Sequence, residues 1–307
     1  MNIKEKPEYF QVREIIDLDY NEEGKLSYFL LKKKNYNTLD AINLISKELK
    51  INTKNIGFAG NKDKKAITTQ MISLPRITKE KVENLNLKSI ILKFKGYGNK
   101  RINLGDLKGN KFKIKFPYKI KNKINFIENY FDEQRFGVNH NNHILGKLII
   151  KKDFAELNSL INNSISNYNY KLKLRFYFHS YQSYLFNLFL SEYLSNYENI
   201  SLDYSLGKLI FLKNKIKNIK IPLINFDTKL QGDIGKIYKK ILKKEDVNLD
   251  SFLVRSHPFL VSDTQERDSI IKVKDLIQKN DFIYFSLPKG SYATILVKKL
   301  ALLNNID

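Results

Sequence analysis

The sequence predicts an α+β fold built around a mixed, largely antiparallel β-sheet. In the first 150 of the 307 residues, short β-branched or alternating stretches are separated by short polar connections, and few helical patterns lie between them. From about residue 154 the chain changes to an aromatic segment of helical length, followed by a lysine-rich region. Hydrophobic residues make up 42% of the chain, which is enough for a packed core and argues against wholesale disorder.

The first half predicts one helix among six strands. The helix begins at Asn37 or Thr38, either of which is a suitable N-cap, and apolar residues then recur at helical spacing up to Leu49. The segment at 111–116 alternates between lysine and apolar residues, as a half-buried strand does. The predicted strands are 10–16, 28–31, 56–59, 67–74, 89–94 and 111–116.

The second half predicts a buried helix and further short elements. Residues 176–194 have helical length and carry aromatic side chains on more than one face, which favours a buried helix. Residues 201–250 read as short strands with one helix near 236–243. Strand character returns at 282–287 and again at 293–303.

Composition limits the classes of function. The chain has no cysteine, which excludes disulfides, thiolate metal sites and a catalytic thiol. We find no signal-peptide pattern and no apolar run of the roughly 18 residues that a membrane helix needs, so a soluble, cytoplasmic protein without membrane contact is expected. The formal net charge of +22 favours a nucleic-acid partner, although lysine-rich codon bias is the competing explanation.

The segment GFAGNKDKK at 57–65 is the first candidate for chemistry. It lacks the glycine spacing and the Ser or Thr of a Walker A loop, and Lys64 stands where a GTPase specificity box has Asp. What remains is one carboxylate, Asp63, among Lys62, Lys64 and Lys65. Neighbouring cations favour an ionised carboxylate, which suits a nucleophile, whereas a solvated turn is the alternative interpretation.

The segment NYFDEQRFG at 129–137 is the second candidate. Aromatic rings interleaved with Asn, Gln and Arg suit a flipped base, which needs a ring to stack on and polar groups that read its edge. A turn between two core aromatics is the alternative. His140 and His143 have no further ligand cluster nearby, so no metal site is predicted there.

Together and in this order, motifs spread over nearly the whole chain resemble the TruD-type tRNA pseudouridine-13 synthases. The two segments above carry the most specific part of the resemblance. The matching stretches are KPEYFQVRE at 6–14, Asn37-Thr38, GFAGNKDKKAITTQ at 57–70, GDLKGNKF at 105–112, NYFDEQRFG at 129–137, YQSYLFN at 181–187 and LPKGSYAT at 287–294.

The resemblance implies a catalytic domain of pseudouridine-synthase type, formed by residues 1–154 and 262–307 and interrupted by an α/β insertion domain at 155–261. It also implies isomerisation of uridine 13 of tRNA to pseudouridine, with tRNA as partner and with no cofactor and no metal. A monomer is expected.

Site residues follow from the same resemblance. Asp63 matches the nucleophilic aspartate, and Phe131 matches the aromatic position where other pseudouridine synthases carry Tyr. Lys4 matches a basic residue ahead of the first motif, although Lys6 competes for that position. The positions matching the uridine pocket are Phe10, Asn129 and Phe285, and the supporting or RNA-binding residues are Lys62, Lys64, Lys65, Gln134 and Arg135. Independently of the resemblance, the net charge of +22 predicts contacts with phosphates, for which the candidates are Lys32, Lys33, Lys34, Lys62, Lys64, Lys65 and Lys108.

The sequence also departs from the family pattern. Tyr9 replaces an Asp in the first motif, Asp132 replaces a Gly after NYF, and Gln265 replaces the Gly of a Gly-x-Arg near the end of the insertion. These departures leave the matched nucleophile in place.

The predicted chemistry agrees with the residue types. Cleaving an N-glycosidic bond through an oxocarbenium-like state requires a carboxylate beside C1′, as in glycosidases. Covalent attack of Asp63 at C1′, addition at C6 and abstraction of the 2′ proton all remain open. So do two other classes of function: a non-catalytic RNA-binding protein, which would not need Asp63, and a nucleoside hydrolase, which would not need the positive surface.

Overall fold

The computed structural model describes residues 3–161 and 167–306. These residues form two compact units. The first unit contains the described residues up to 125, together with 272–293 and Ile306, and the second contains 126–271 and 294–305. The predicted limits of the insertion, 155 and 261, both lie within the second unit. They stay a prediction, since compactness alone does not mark where an inserted segment begins.

The elements follow the chain in this order. The strands are β1 (Phe10–Ile15), β2 (Leu26–Lys34), β3 (Gly57–Phe58), β4 (Ile67–Pro75), β5 (Ile90–Gly98), β6 (Gly109–Lys115), β7 (Phe126–Glu128), β8 (Asn199–Tyr204), β9 (Gly207–Leu212), β10 (Lys220–Pro222), β11 (Glu266–Asp268), β12 (Ile270–Lys272), β13 (Lys274–Lys279) and β14 (Phe282–Pro288). The helices are α1 (Thr38–Leu49), α2 (Lys79–Glu83), α3 (Asn142–Lys151), α4 (Phe154–Leu160), α5 (Asn167–Leu194), α6 (Gly232–Glu245) and α7 (Ala293–Leu303).

The first unit is built on an eight-stranded sheet in the order β13-β14-β6-β1-β4-β2-β5, with β3 paired to β4. Only β1 and β4 run parallel within it; every other pair is antiparallel. Helix α1 packs on one face, which we call the helix face. There Ala41, Ile42 and Ile45 meet Phe29 and Ile72 in the core. The predicted mixed, largely antiparallel sheet is therefore confirmed.

The start of α1 follows from local chemistry. The Asn37 side chain accepts a hydrogen bond from the backbone N–H of Asp40 at 2.7 Å, which satisfies one of the free N–H groups of the first turn. Asn37 is therefore the N-cap, one of the two residues that the sequence predicts.

The second unit is built around α5, whose 28 residues include the predicted helix at 176–194. Phe178, Phe186 and Phe189 on this helix are completely buried, as the aromatic density on several faces predicts. Helix α3 packs against α5 at Gly146, where an added Cβ would lie 2.1 Å from the Tyr177 carbonyl oxygen. A side chain larger than hydrogen at position 146 would therefore separate the two helices.

One predicted element is wrong. Residues 293–303 form the helix α7, not a strand. Their β-branched content suggests a strand, yet the buried positions Ala293, Leu296, Val297 and Leu300 recur at the i, i+3, i+4, i+7 spacing of a helix. Ile295, which lies between them and is also buried, hides this period. Within residues 3–161 and 167–306, no helix combines the length and the apolar character required to cross a bilayer.

Candidate active site

The segment between β3 and β4 that carries Asp63 is fixed by buried polar groups. Lys33, which points from β2 to the helix face, donates hydrogen bonds to the carbonyl oxygens of Tyr36 at 2.6 Å, Asp63 at 3.3 Å and Lys62 at 3.4 Å. Burial lowers the pKa of Lys33 from 10.5 to about 8, against the opposing influence of Asp63. Lys33 therefore acts as an internal support for the Asp63 backbone.

A second hydrogen-bond chain holds the same segment from the other side. The Thr38 hydroxyl accepts from the backbone N–H of Lys62 and donates to the Gln70 amide oxygen, each at 2.9 Å. The Gln70 amide nitrogen in turn donates to the Gly60 carbonyl at 3.0 Å. Thr38 and Gln70, which are 32 residues apart in the chain, thus shape one loop.

The Asp63 carboxylate lies beside Lys4. Lys4 Nζ is 2.7 Å from Asp63 Oδ2, and both side chains are partly buried, with 25% and 21% of their surface exposed. The same ammonium lies 4.5 Å from the ring centroid of Phe10. A single cation therefore links the carboxylate to an aromatic ring, and the match of Lys4 to the basic residue ahead of the first motif stays a prediction.

Phe10 belongs to a buried row of three rings on the helix face. Phe10, Phe112 and Phe285 lie on the neighbouring strands β1, β6 and β14, where Phe112 is directly opposite Phe285. Phe112 stacks on Phe285 at 5.1 Å between centroids, and Phe10 meets Phe112 edge to face at 6.2 Å. Two of the predicted pocket residues are therefore brought together, through a third ring that the sequence does not single out.

The lysines around Asp63 differ from the prediction. Lys62 does not pair with Asp63: its Nζ lies 2.5 Å from Glu14 Oε2 in an almost fully buried ion pair. Alternation along β1 directs Glu14 inward, where the ammonium compensates its charge. Lys64 and Lys65 are exposed. The expectation of a carboxylate held among three adjacent lysines is therefore wrong, because the neighbouring cation comes from position 4.

The other lysines expected to contact phosphates differ in exposure and in their partners. Lys32 is exposed, Lys33 is buried, and Lys34 and Lys108 form ion pairs with Glu8 and Asp17. The phosphate contact expected of Lys33 is therefore wrong, because its ammonium is buried and bonded to carbonyl oxygens, whereas that of the other three stays a prediction.

In the second unit, Asn129 is held by Arg267. The Arg267 guanidinium donates to the Asn129 carbonyl oxygen at 2.9 Å and to its Oδ1 at 2.6 Å, while Asn129 Nδ2 donates to the Asp268 carbonyl at 2.9 Å. The amide is thus fixed in one orientation. One lone pair of Oδ1 and one N–H remain after these bonds, so the group keeps some hydrogen-bonding capacity.

Phe131 lies inside the second unit with 8% of its surface exposed. The Arg267 guanidinium lies 4.1 Å from its ring centroid, and Phe186 of α5 meets it edge to face at 5.5 Å. Asn187 fixes the backbone at this point, since its amide accepts from the Phe131 N–H and donates to the Phe131 carbonyl. The ring is therefore packed on two sides, and its contact with a base stays a prediction.

The flanking residues of this segment have separate roles. Arg135 donates to the Ser183 hydroxyl at 3.0 Å, and Gln134 is exposed. Asp132, which departs from the family pattern, is buried and pairs with Lys298 of α7 at 2.5 Å. The substitution of Gly by Asp is thus matched by a cation within the same unit.

Sequence reasoning misses two contacts, that of Lys33 with the Asp63 backbone in the first unit and that of Arg267 with Asn129 in the second. Arg267 belongs to a motif that departs from the family pattern, and its partner Asn129 is 138 residues away. In the described residues, no group of three or more His, Cys, Asp or Glu is arranged to hold a metal ion.

Comparison with known proteins identifies the family. The model of "tRNA pseudouridine synthase D (TruD)" matches residues 1–170 and 210–300. The chain is 30% identical to a probable tRNA pseudouridine synthase D of Thermococcus sibiricus, over 97% of this chain and 94% of that protein. It is 29% identical to the tRNA pseudouridine synthase D of Aquifex aeolicus, over 98% of each.

The fold has a solved counterpart. A crystal structure of a putative TruD from Methanosarcina mazei superposes with a TM-score of 0.66 at 24% identity, covering 99% of this chain and 93% of that one. This likeness supports the fold class predicted from sequence. Since the family model covers most of the residues, the chain belongs to the tRNA pseudouridine synthase D family, and this membership implies isomerase activity on tRNA.

Proposed function

We propose that this protein converts uridine 13 of tRNA to pseudouridine, with Asp63 as the nucleophile. One observation carries the proposal: the Asp63 carboxylate lies 2.7 Å from Lys4 Nζ, and that ammonium also lies over Phe10 in a row of three packed rings. A charged carboxylate next to an aromatic row is the combination that a reaction at the sugar of a stacked base requires.

The reaction is balanced without an external reactant. In the direct route, an Asp63 oxygen attacks C1′ as the bond from C1′ to N1 breaks, and the electron pair of that bond leaves with the uracil. The uracil turns within the pocket and C5 attacks C1′, which releases the carboxylate. The proton lost from C5 is matched by the one gained at N1. Addition at C6 or abstraction of the 2′ proton would use the same carboxylate, so Asp63 is required in each route.

Binding of the uridine is assigned to the residues that the family resemblance indicates. Phe10 and Phe285 in the first unit supply aromatic surface, and base stacking on such rings contributes roughly 1–3 kcal/mol per base. For Asn129 and Phe131 the assignment to uridine rests on the resemblance alone; within the second unit, both contact Arg267. Lys64, Lys65, Gln134 and Arg135 are proposed to contact the surrounding RNA.

The experiment is a pseudouridine map of an unmodified tRNA transcript after incubation with the protein, read by carbodiimide-dependent primer extension. A stop at position 13 is expected with the wild type, and none with a transcript in which uridine 13 is replaced by cytidine. Asp63→Asn should remove the stop while the affinity for tRNA changes only a few fold. The matched control is Asp19→Asn, which removes an exposed carboxylate of the same unit.

Two results would contradict the proposal. A stop at another uridine would refute the assignment to position 13, and substantial turnover by Asp63→Asn would refute the nucleophile. Tight tRNA binding by a wild-type chain that forms no pseudouridine would instead support a non-catalytic RNA-binding protein.

A further inference from the structure

The face of the eight-stranded sheet that points away from α1 carries a cluster of cations. Successive side chains of a strand point to opposite faces, so residues between those of the helix face belong to this second face, which we call the open face. Phe10 and Val12 of β1 point to the helix face, whereas Gln11 and Arg13 point to the open face. Since Lys33 and Glu14 both point to the helix face, the support of the Asp63 segment lies on that side.

A groove on the open face is lined by five cations and by no acidic residue. The cationic lining residues are Arg13, Lys32, Lys93, Lys111 and Lys113. The uncharged polar lining residues are Gln11, Thr69 and Tyr284. Four of the five cations are exposed and Lys113 is half-buried. In the part of the chain that the structure describes, none of the five takes part in a salt bridge, although 15 salt bridges occur elsewhere.

The register of the strands places three of these cations in one row. Lys32 of β2 is opposite Thr69 of β4, Thr69 is opposite Arg13 of β1, and Arg13 is directly opposite Lys111 of β6. Neighbouring strands are about 4.8 Å apart, so the row places three positive charges within four adjacent strands. Like charges directly opposite each other destabilise an antiparallel pair. This repulsion would be relieved by a polyanion bound across the row.

We infer that the open face binds the phosphate backbone of tRNA, at a part of the molecule other than the target uridine. The inference rests on the proposed function, because it takes tRNA as the polyanion. Lysine and arginine side chains without acidic partners can replace the counterions of phosphate groups. Such contacts add to the affinity for RNA but do not distinguish one base sequence from another. Tyr284 adds an aromatic ring, and Lys113 Nζ lies 5.7 Å from the centroid of that ring.

The test compares two triple variants that remove the same charge. The first is Arg13→Gln/Lys32→Gln/Lys111→Gln on the open face. The second is Lys47→Gln/Lys81→Gln/Lys88→Gln, three exposed lysines of the same unit that lie outside the groove. Binding of a fluorescently labelled, unmodified tRNA transcript is measured by anisotropy over a series of salt concentrations. Each lost phosphate contact makes the slope of log K against log salt shallower by about 0.7–0.9, so the open-face variant should lose roughly two to three units. The control should keep the wild-type slope.

The stability of the two variants provides a second measurement. Removing the repulsion between positions 13 and 111 should leave the midpoint of thermal unfolding unchanged or raise it, so weaker binding by the open-face variant cannot be attributed to unfolding. A lowered midpoint would contradict the argument from repulsion and overturn the inference.

The outcomes separate this inference from the proposed function. Equal salt slopes for the open-face and control variants would overturn the inference. If the two variants have equal salt slopes and only the open-face variant loses binding to vesicles of anionic phospholipid, the open face would instead bind a membrane surface. If the open-face slope falls as expected but the wild type forms no pseudouridine at position 13, the inference stands and the proposed function fails.

Discussion

Lys62 and Glu14 form an ion pair that is almost completely buried, with Nζ 2.5 Å from Oε2 and side-chain exposures of 5% and 1%. The second carboxylate oxygen of Glu14 accepts from the backbone N–H of Met71 at 3.2 Å. The pair therefore connects the segment next to Asp63 to both β1 and β4. Lys62 directly precedes the proposed nucleophile, so this pair fixes the loop from within the fold.

Lys62→Met should destabilise the protein strongly. It leaves the Glu14 carboxylate buried without its cation, and breaking a buried pair in this way costs about 3–5 kcal/mol. Urea denaturation should show this loss, and Glu14→Gln/Lys62→Met should recover a large part of it because no uncompensated charge remains. A single variant as stable as the wild type would show that the pair is not buried as described.

Lys4 should affect turnover more than affinity. Lys4→Gln removes the cation that orients Asp63, and a misplacement of about 1 Å can lower a rate by roughly a hundredfold. Lys4→Arg should restore most of the rate because it returns the charge. The matched control is Lys6→Gln, which alters the competing lysine on the same segment. Single-turnover rates with saturating protein measure the effect, and an equal loss for positions 4 and 6 would refute the assignment.

Much of the fold can be predicted because its strands repeat with a simple period. The alternation of lysine and apolar residues in 111–115 is enough to place Phe112 and Ile114 on one face. The N-cap at Asn37 can also be predicted, because it depends only on residues close to it in the sequence. The strand prediction for α7 is wrong because Thr294, Ile295 and Val297 give the start of this helix a β-branched character. A pattern of residue types cannot separate the two periods there.

The site can be predicted only where one segment carries it. Asp63 follows from its motif, but its cation does not, because Lys4 is 59 residues away and three lysines lie closer in sequence. The contact between Arg267 and Asn129 depends likewise on β11 lying beside the end of β7. Sequence spacing contains no information on such contacts, whereas chain topology creates them.

Lys33 should make stability depend on pH in the alkaline range. Its pKa is about 8 in the folded protein against 10.5 for an ordinary lysine, so between these values the unfolded chain binds more protons than the folded one. The contribution of Lys33 to the free energy of unfolding therefore rises with pH from about 8 towards 10.5. The free energy of unfolding of the wild type minus that of Lys33→Met should increase from about pH 8 to about pH 10 in urea titrations.

The control for this dependence is Lys47→Met, on the exposed side of α1. This variant removes an exposed lysine, so it shows whether the loss of any lysine produces the same rise. A flat difference for Lys33→Met would mean that the amine is not desolvated in the folded protein.

Phe131 gives the sharpest distinction between packing and catalysis, because its ring is buried and also proposed to stack on the base. Phe131→Ala should cost about 3–5 kcal/mol of stability, as for other buried aromatic residues. If the ring also stacks on uracil in the transition state, the remaining folded protein should react up to roughly a hundredfold more slowly, the equivalent of about 1–3 kcal/mol.

The matched control is Phe186→Ala, which removes the ring that packs edge to face on Phe131 and to which no substrate contact is assigned. Thermal melts give the folded fraction, and single-turnover rates are corrected for it. Phe186→Ala should be unstable yet close to the wild type in corrected rate, whereas Phe131→Ala should be both unstable and slow. Equal corrected rates for the two variants would leave Phe131 with a packing role alone.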